Sequence, residues 1–177
     1  MLPGVSEMLE AISDTGPILH LHEIGKLFTL NVFERLYIPR LVADELGRYG
    51  VDAEAIDLSS PISIVPINME QRDRVLGEIG QLPIHPADTE VLILAHEGGF
   101  SKPILTDDMA LRRELEFRGA LVIGSVGLLV RAYNKALMAR ADLDHAINAL
   151  FDESTLHLSS AFRGYVRKLI NDLGKVS

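Results

Sequence analysis

Short apolar runs alternate along the chain with stretches in which apolar residues recur at helical spacing. The runs predict five strands, at residues 11–13, 36–38, 62–67, 104–105 and 121–123. The intervening periodicities predict helices, at residues 18–27, 30–34, 39–49, 69–80, 86–97, 109–118, 126–138, 143–150 and 160–173. This alternation is typical of an α/β fold in which helices cover both faces of a parallel sheet. Prolines beside the run at 62–67 indicate an edge strand.

A chain of 177 residues has the size of one domain, or of one domain with an appendage. A weak boundary at residues 139–142 predicts a main domain at 1–138 and a C-terminal helical appendage at 139–177 that packs on it. No apolar stretch approaches the ~20 residues of a membrane helix, and residues 1–10 do not have the character of a signal peptide. The absence of cysteine fits a reducing cytoplasm and excludes disulfides and thiolate metal sites.

The formal net charge of −8 argues against a protein that holds nucleic acid on a broad basic face. It leaves room for a protein that engages phosphates through a bound metal ion and a few arginines. Part of the negative charge would then belong to the metal site itself.

Two stretches share one pattern, which is an apolar run followed by a small hydroxyl residue and then aspartate. Ser13 and Asp14 end the first predicted strand, and Thr106, Asp107 and Asp108 end the fourth. If these strands are parallel neighbours, their carboxylates meet at one edge of the sheet and repel unless a cation lies between them. The pattern therefore predicts a metal site. Oxygen ligands without cysteine or clustered histidine favour Mg²⁺ or Mn²⁺ over zinc.

The other candidate acids also have purely structural interpretations. Asp14 can cap the helix that follows it. Asp88 can complement the dipole of the helix that begins at Pro86, although it shares the inward face of that helix. Glu45 lies at the margin of a buried helical stripe, which favours neither interpretation. Glu90 is expected to face solvent.

The adjacent Asp107 and Asp108 are the strongest single signal. One of them is expected to cap the following helix and leave the other to face the site, and spacing alone does not decide which. Arg112, four residues after Asp108, could pair with it or reach a phosphate. None of the six histidines has the tight spacing of a metal motif, so we interpret His20 and the others as ordinary surface or core residues.

Five motifs in order resemble the PIN-domain family, and more narrowly its archaeal and bacterial branch related to the toxin ribonucleases of toxin–antitoxin pairs. They are SDTGPI at 13–18, IPRLVADEL at 38–46, ADTEVLILA at 87–95, LTDD at 105–108 and IGSVGLL at 123–129. The resemblance implies a three-layer α/β fold with a central parallel sheet of about five strands and an acidic pocket at the strands' carboxyl ends. It also implies metal-dependent hydrolysis of phosphodiester bonds, generally in RNA, by the domain at 1–138.

Carried over position by position, the resemblance assigns roles to seven residues, and the predicted helices add three arginines as candidates of their own. The catalytic acids would be Asp14, Glu45, Asp88 and Asp108. The ligands of Mg²⁺ or Mn²⁺ would be Asp14, Asp88, Asp107 and Asp108, with Asp108 as the closer match of the adjacent pair. The supporting pocket residues would be Thr15 and Thr106, and the candidates for phosphate contacts are Arg112, Arg40 and Arg48.

The resemblance further implies an RNA substrate, a homodimer, and a small antitoxin partner if the protein is a toxin. One departure matters, because many relatives carry a more basic surface than this acidic chain. The alternative is therefore a catalytically weak or inactive PIN-fold module that binds nucleic acid or protein.

Two enzyme classes fit the sequence less well. Asp14-Thr15-Gly16 also suggests an aspartic protease, but that chemistry needs two such loops in a β-rich fold. A phosphatase with Asp14 as nucleophile would need a second aspartate two residues later, where this chain has Gly16.

Overall fold

The structure is a computed structural model that describes residues 10–173 and residue 175. Five strands form one sheet: β1 (Glu10–Ser13), β2 (Arg35–Pro39), β3 (Ile62–Val65), β4 (Ile104–Leu105) and β5 (Val122–Ile123). Their order is β3-β2-β1-β4-β5, and every neighbouring pair is parallel. All five predicted strands are therefore present, and β3 lies at an edge as its prolines indicate.

Eight α-helices occur in the described part of the chain. They are α1 (Thr15–Glu23), α2 (Arg40–Arg48), α3 (Met69–Ile79), α4 (Pro86–Glu97), α5 (Met109–Phe117), α6 (Ser125–Asn134), α7 (Arg140–Asp152) and α8 (Ser160–Leu173). Asn68 caps α3 by accepting a hydrogen bond from the Gln71 N–H at 2.8 Å. Pro86 begins α4 in the first-turn position, where a missing N–H costs nothing.

One predicted helix has a different form. The short helix expected at 30–34 is a 3₁₀ helix at Leu27–Val32. Both the backbone N–H and the hydroxyl of Thr29 donate to the Lys26 carbonyl, at 3.0 and 2.8 Å. Because of these bonds, the short helix begins at Leu27, before the position that the apolar pattern predicts.

The core lies between the sheet and the helices that flank it. The central strand β1 is buried from Ala11 to Ser13, and α4 packs against β1 and β2 with Val91 and Leu92 fully buried. The arrangement confirms the three-layer α/β fold with a parallel sheet of five strands. None of the helices described in the structure is long and apolar enough to cross a membrane.

The C-terminal helices share this core. Helix α7 packs on α6, and Leu143, Leu150, Val166 and Ile170 are buried in the same apolar cluster as the sheet. The proposed division into 1–138 and 139–177 stays a prediction. Residues 1–9, to which the signal-peptide interpretation refers, lie outside the described residues.

Removal of a buried side chain from α4 should be far more costly than the same change at the surface. Leu92 is fully buried, whereas Leu169 on α8 is 39% exposed. Leu92→Ala should lower the free energy of unfolding by about 2–5 kcal/mol, and Leu169→Ala should change it by no more than about 0.5 kcal/mol. Urea titration of both variants measures the difference, and equal effects would contradict the packing described.

Candidate active site

The candidate site lies where the chain changes direction across the sheet. From β1 the chain builds β2 and β3 on one side, and it then returns to place β4 on the other side. Ser13 pairs with Leu105, and the Asp14 N–H donates to the Leu105 carbonyl at 2.9 Å. The carboxyl ends of two such strands form a crevice in which parallel α/β sheets bind ligands.

Asp14 is held at this crevice by hydrogen bonds to both of its carboxylate oxygens. Its Oδ1 accepts from the Thr15 N–H at 2.7 Å, so Asp14 caps α1. Its Oδ2 accepts from the Thr106 hydroxyl at 2.9 Å, across the two strand ends. Asp14 is only 5% exposed. Asp14 therefore caps α1, as the structural interpretation expects, and its functional role stays a prediction.

Four acids from four separate stretches line one cavity of about 500 Å³. The lining residues are Asp14, Thr15, Gly16, Leu19, His20, Glu45, Tyr49, His85, Asp88, Asp108 and Thr155. The structure thus brings together all four acids that the resemblance assigns to catalysis. Their roles stay predictions.

Two contacts fix the helices that carry these acids. The Thr15 hydroxyl donates to Glu45 Oε2 at 2.6 Å and thereby joins α1 to α2. The Leu41 N–H, in the first turn of α2, donates to Glu90 Oε2 at 3.1 Å. Glu90 is buried, so the expectation that it faces solvent is wrong. Pro39 has no side-chain oxygen to cap α2, and Glu90 of α4 supplies that cap instead.

The electrostatics show that the acids interact. Burial, and then the charge of Asp88, raise the pKa of Asp14 from 3.8 to about 7, although the hydrogen bond from Thr106 lowers it. Burial, and then the charge of Asp108, raise the pKa of Asp88 from 3.8 to about 6. The charge of Glu45 contributes to both upward shifts. Each carboxylate thus makes its neighbour harder to ionise.

The adjacent aspartates have different environments. Asp108 caps α5 by accepting from the Leu111 N–H at 2.7 Å, and it also lines the acidic cavity. Asp107 accepts three hydrogen bonds, from the Ser125 N–H and hydroxyl and from His20 Nδ1. The capping residue is thus also the one beside the other acids, whereas the sequence analysis expects these roles to be divided between the pair.

The three candidate arginines lie outside the lining of the acidic cavity. The Arg112 guanidinium approaches the carbonyls of Val122 and Thr106 at 3.4 and 3.5 Å and pairs with Glu116 at 3.2 Å. Arg40 is on α2 within 3.9 Å of Glu54. Arg48, at the other end of α2, is exposed.

Several lining residues escaped the sequence analysis. The sequence analysis treats His20 as an ordinary surface or core residue; it is buried, and it also lines the cavity with Nδ1 2.7 Å from Asp107 Oδ2. Thr155 reaches the cavity from the segment between α7 and α8, where its N–H donates to Glu23 at 2.8 Å. Neither contact leaves a local signal, because each joins residues that are far apart in the sequence.

The donor chemistry fits a hard divalent ion. All four acids supply oxygen, and an ion between them would offset the repulsion that raises two of their pKa values. Among the residues described, however, no three acids or histidines lie close enough to form a ready metal-binding group. The carboxylates that would hold an ion, those of Asp14, Asp88 and Asp108, would have to turn toward one another to do so.

The raised pKa values predict how the metal-free protein responds to pH. Asp14 and Asp88 bind protons more tightly in the folded protein, with pKa values of about 7 and 6 against 3.8. The stability that these two groups contribute to the folded protein is therefore fully present below about pH 4. It is lost as the pH rises through their folded pKa values of about 6 and 7. Asp14→Asn should make the protein more stable than wild type at pH 8 by about 1–3 kcal/mol, or roughly 3–10 °C in Tm.

Thermal unfolding in EDTA at several pH values between 5 and 8 measures this effect. The matched control is Asp44→Asn, since Asp44 is exposed on α2 next to Glu45. A plot of its Tm against pH should run parallel to that of wild type. A parallel plot for Asp14→Asn as well would mean that Asp14 ionises as it does in water.

The comparisons agree with the geometry. A protein-family model described as PIN domain matches residues 10–172, which include every strand and all four acids of the cavity. The curated proteins and the solved structures gave no match. PIN domains are generally nucleases that act on nucleic acid, and they typically use divalent metal ions. Because this match covers most of the sequence, the chain belongs to the PIN-domain family.

Proposed function

We propose that the protein is a divalent-metal-dependent endoribonuclease that hydrolyses phosphodiester bonds in RNA. The observation that carries the proposal is the meeting of Asp14, Glu45, Asp88 and Asp108 around one cavity at the carboxyl edge of the sheet. Structural acids are normally placed where they remain easily ionised. Here burial and mutual repulsion hold the pKa of Asp14 and of Asp88 high, which is typical of functional sites.

Asp14, Asp88 and Asp108 would hold Mg²⁺ or Mn²⁺. Such an ion supplies a water of lowered pKa and offsets the charge that builds on the phosphate oxygens. Asp107 is less suited to be a ligand than the sequence implies, because both its oxygens already accept hydrogen bonds from Ser125. Glu45 keeps Oε1 without a hydrogen bond in the described part of the chain, and we assign it to accept the proton of the attacking water.

The proposed phosphate contacts have unequal support. Arg40 and Arg48 are carried by α2, the helix that also carries Glu45, so they can flank an RNA strand that enters the cavity. Arg112 is directed at backbone carbonyls. It would have to leave them to reach a phosphate.

A second candidate function is a PIN-fold binding module with weak or no catalysis. It is favoured by the absence, within residues 10–173 and 175, of three acids or histidines already arranged for a metal ion. It is also consistent with the net charge of −8. The nuclease accounts better for Asp14 and Asp88, whose pKa values are raised by burial and by neighbouring carboxylates, because a binding module gains nothing from that repulsion.

The biological setting is also part of the proposal. The five motifs taken together favour the toxin-related branch of the family, in which the protein would have a small antitoxin partner and form a homodimer. The cytoplasm is the compartment that fits a chain without cysteine. A gene for a small protein next to this one would be the simplest support for the antitoxin.

The decisive experiment is incubation with a mixture of RNAs in Mn²⁺, Mg²⁺ or EDTA. Wild type should cleave RNA with either metal and lose this activity in EDTA. Asp14→Asn should keep the cap of α1, because an amide oxygen can accept the Thr15 N–H, and should lose cleavage by roughly 100-fold or more. Asp44→Asn controls for the loss of one negative charge. Equal activity of wild type and Asp14→Asn would refute the proposed site.

Calorimetric titration with Mn²⁺ separates the nuclease from the binding module. Wild type at pH 7.5 should bind the ion and release protons, because Asp14, with a pKa of about 7, is partly protonated without it. Asp88→Asn should weaken binding by roughly 10-fold or more, whereas Asp44→Asn should leave it unchanged. Absence of binding to wild type would favour the module.

A further inference from the structure

A buried histidine faces the acidic cavity and is held there by a built set of contacts. His20 Nδ1 lies 2.7 Å from Asp107 Oδ2, and both side chains are about 10% exposed. Asp107 is itself fixed by the Ser125 N–H at 2.7 Å to Oδ1 and by the Ser125 hydroxyl at 2.5 Å to Oδ2. Ser125 is fully buried at the start of α6. This arrangement orients the imidazole, and neither the metal ligands nor the attacking water requires it.

The contacts determine which ring nitrogen is available. A carboxylate that takes hydrogen bonds from an N–H and a hydroxyl is an acceptor, so His20 Nδ1 must be the donor to Asp107. Nε2 is then the atom left for chemistry. It makes no hydrogen bond in the described part of the chain, while the ring lines the cavity with Asp14 and Asp108. Gly16 lies beneath the ring, since a Cβ there would be 3.5 Å from His20 Cε1.

We propose that His20 is a catalytic residue, the general acid that protonates the leaving oxygen, and that Asp107 is the positioning residue that orients it. This inference rests on the proposed function. The bond between the water oxygen and phosphorus forms, and the bond between phosphorus and the leaving ester oxygen breaks. His20 enters the step as imidazolium, with its Nδ1–H donated to Asp107. The leaving oxygen takes the proton of Nε2 and leaves a neutral imidazole with its proton on Nδ1, and the proton of the attacking water passes to Glu45. Solvent then returns the proton from Glu45 to His20.

The cavity needs such a group. A sugar alkoxide is a poor leaving group unless a proton reaches it as the bond breaks. The acids of the cavity are committed to binding a cation or accepting a proton. No lysine or arginine is among the lining residues that the structure describes. Two histidines line the cavity, and His20 is the buried one with a carboxylate partner, whereas His85 is exposed.

The choice of substrate provides the test. In RNA the leaving oxygen needs a proton, whereas the nitrophenolate released from bis(p-nitrophenyl) phosphate does not. His20→Asn keeps an amide N–H near the position of Nδ1 for Asp107 but removes the acid. Its kcat on RNA should fall roughly 100-fold or more, and its kcat on the nitrophenyl ester should change by less than about threefold. Mn²⁺ binding measured by calorimetry should match that of wild type. Imidazole added to His20→Ala should restore part of the RNA cleavage.

A second variant, Gly124→Ala, disturbs the contact between His20 and Asp107 without replacing either residue. A Cβ on Gly124 would lie 2.9 Å from Asp107 Oδ1, closer than packed atoms tolerate, and 3.2 Å from Arg112 Nη2, so Arg112→Ala is measured beside it to separate the two contacts. Gly124→Ala should therefore displace Asp107 and lower kcat on RNA more than kcat on the nitrophenyl ester. The matched control is His22→Gln, because His22 is exposed on the same helix as His20. It should leave both rates unchanged.

The outcomes separate the two proposals. Equal losses on RNA and on the nitrophenyl ester, without imidazole rescue, would overturn the role of His20 as acid while the nuclease stands. A wild type that cleaves neither substrate with Mn²⁺ would overturn the proposed function and this inference with it. If His20→Asn fails to fold in a thermal scan, the substrate dependence of Gly124→Ala decides.

Discussion

Burial of the Asp14 carboxylate at the end of the central strand is the constraint on which this site depends. Thr15 and Thr106 give its oxygens two hydrogen bonds, which favour the ionised form. Burial and the neighbouring acids prevail nevertheless, because the pKa of Asp14 is raised to about 7. Folding therefore places a carboxylate where it is difficult to ionise without a counter-charge. Such a position costs stability, and on the proposed function a bound cation would remove that cost.

Asp107 and Asp108, which follow β4 at the edge of the sheet, have two different roles. Asp108 joins the acids of the cavity and caps α5, whereas Asp107 is held by Ser125 and directs His20. The positions of Asp108 and Asp14 both depend on Thr106, whose hydroxyl donates to Asp14 and accepts from the Asp108 N–H at 3.0 Å. One hydroxyl thus sets the relative positions of two acids from different strands.

The sequence predicts what local forces determine. The cap at Asn68, the start of α4 at Pro86 and the range of α8 follow from neighbouring residues alone. Asp14 and the adjacent Asp107 and Asp108 could be foreseen because parallel strands carry their ends to one edge. Glu45 and Asp88 lie on helices, and only the family resemblance assigns them to the site. His20 could not be foreseen, since its partner Asp107 is 87 residues away. The expectation that Glu90 faces solvent is wrong for a related reason. Glu90 lies on α4 but caps α2, whose own N-cap residue, Pro39, has no polar side chain. Periodicity shows which way a side chain points but not which partner it meets.

On the proposed function, a protein with a net charge of −8 must bind RNA, which is itself a polyanion. Among the residues that the structure describes, no lysine or arginine lines the cavity, so without a cation its field repels phosphate. On the proposed function, a divalent ion reverses that field at the position where the phosphate must bind. RNA affinity and metal affinity are then linked, since each ligand binds more tightly when the other is present. The metal would serve as substrate-binding group as well as cofactor, and a negative net charge would restrict RNA binding to the metal-loaded form.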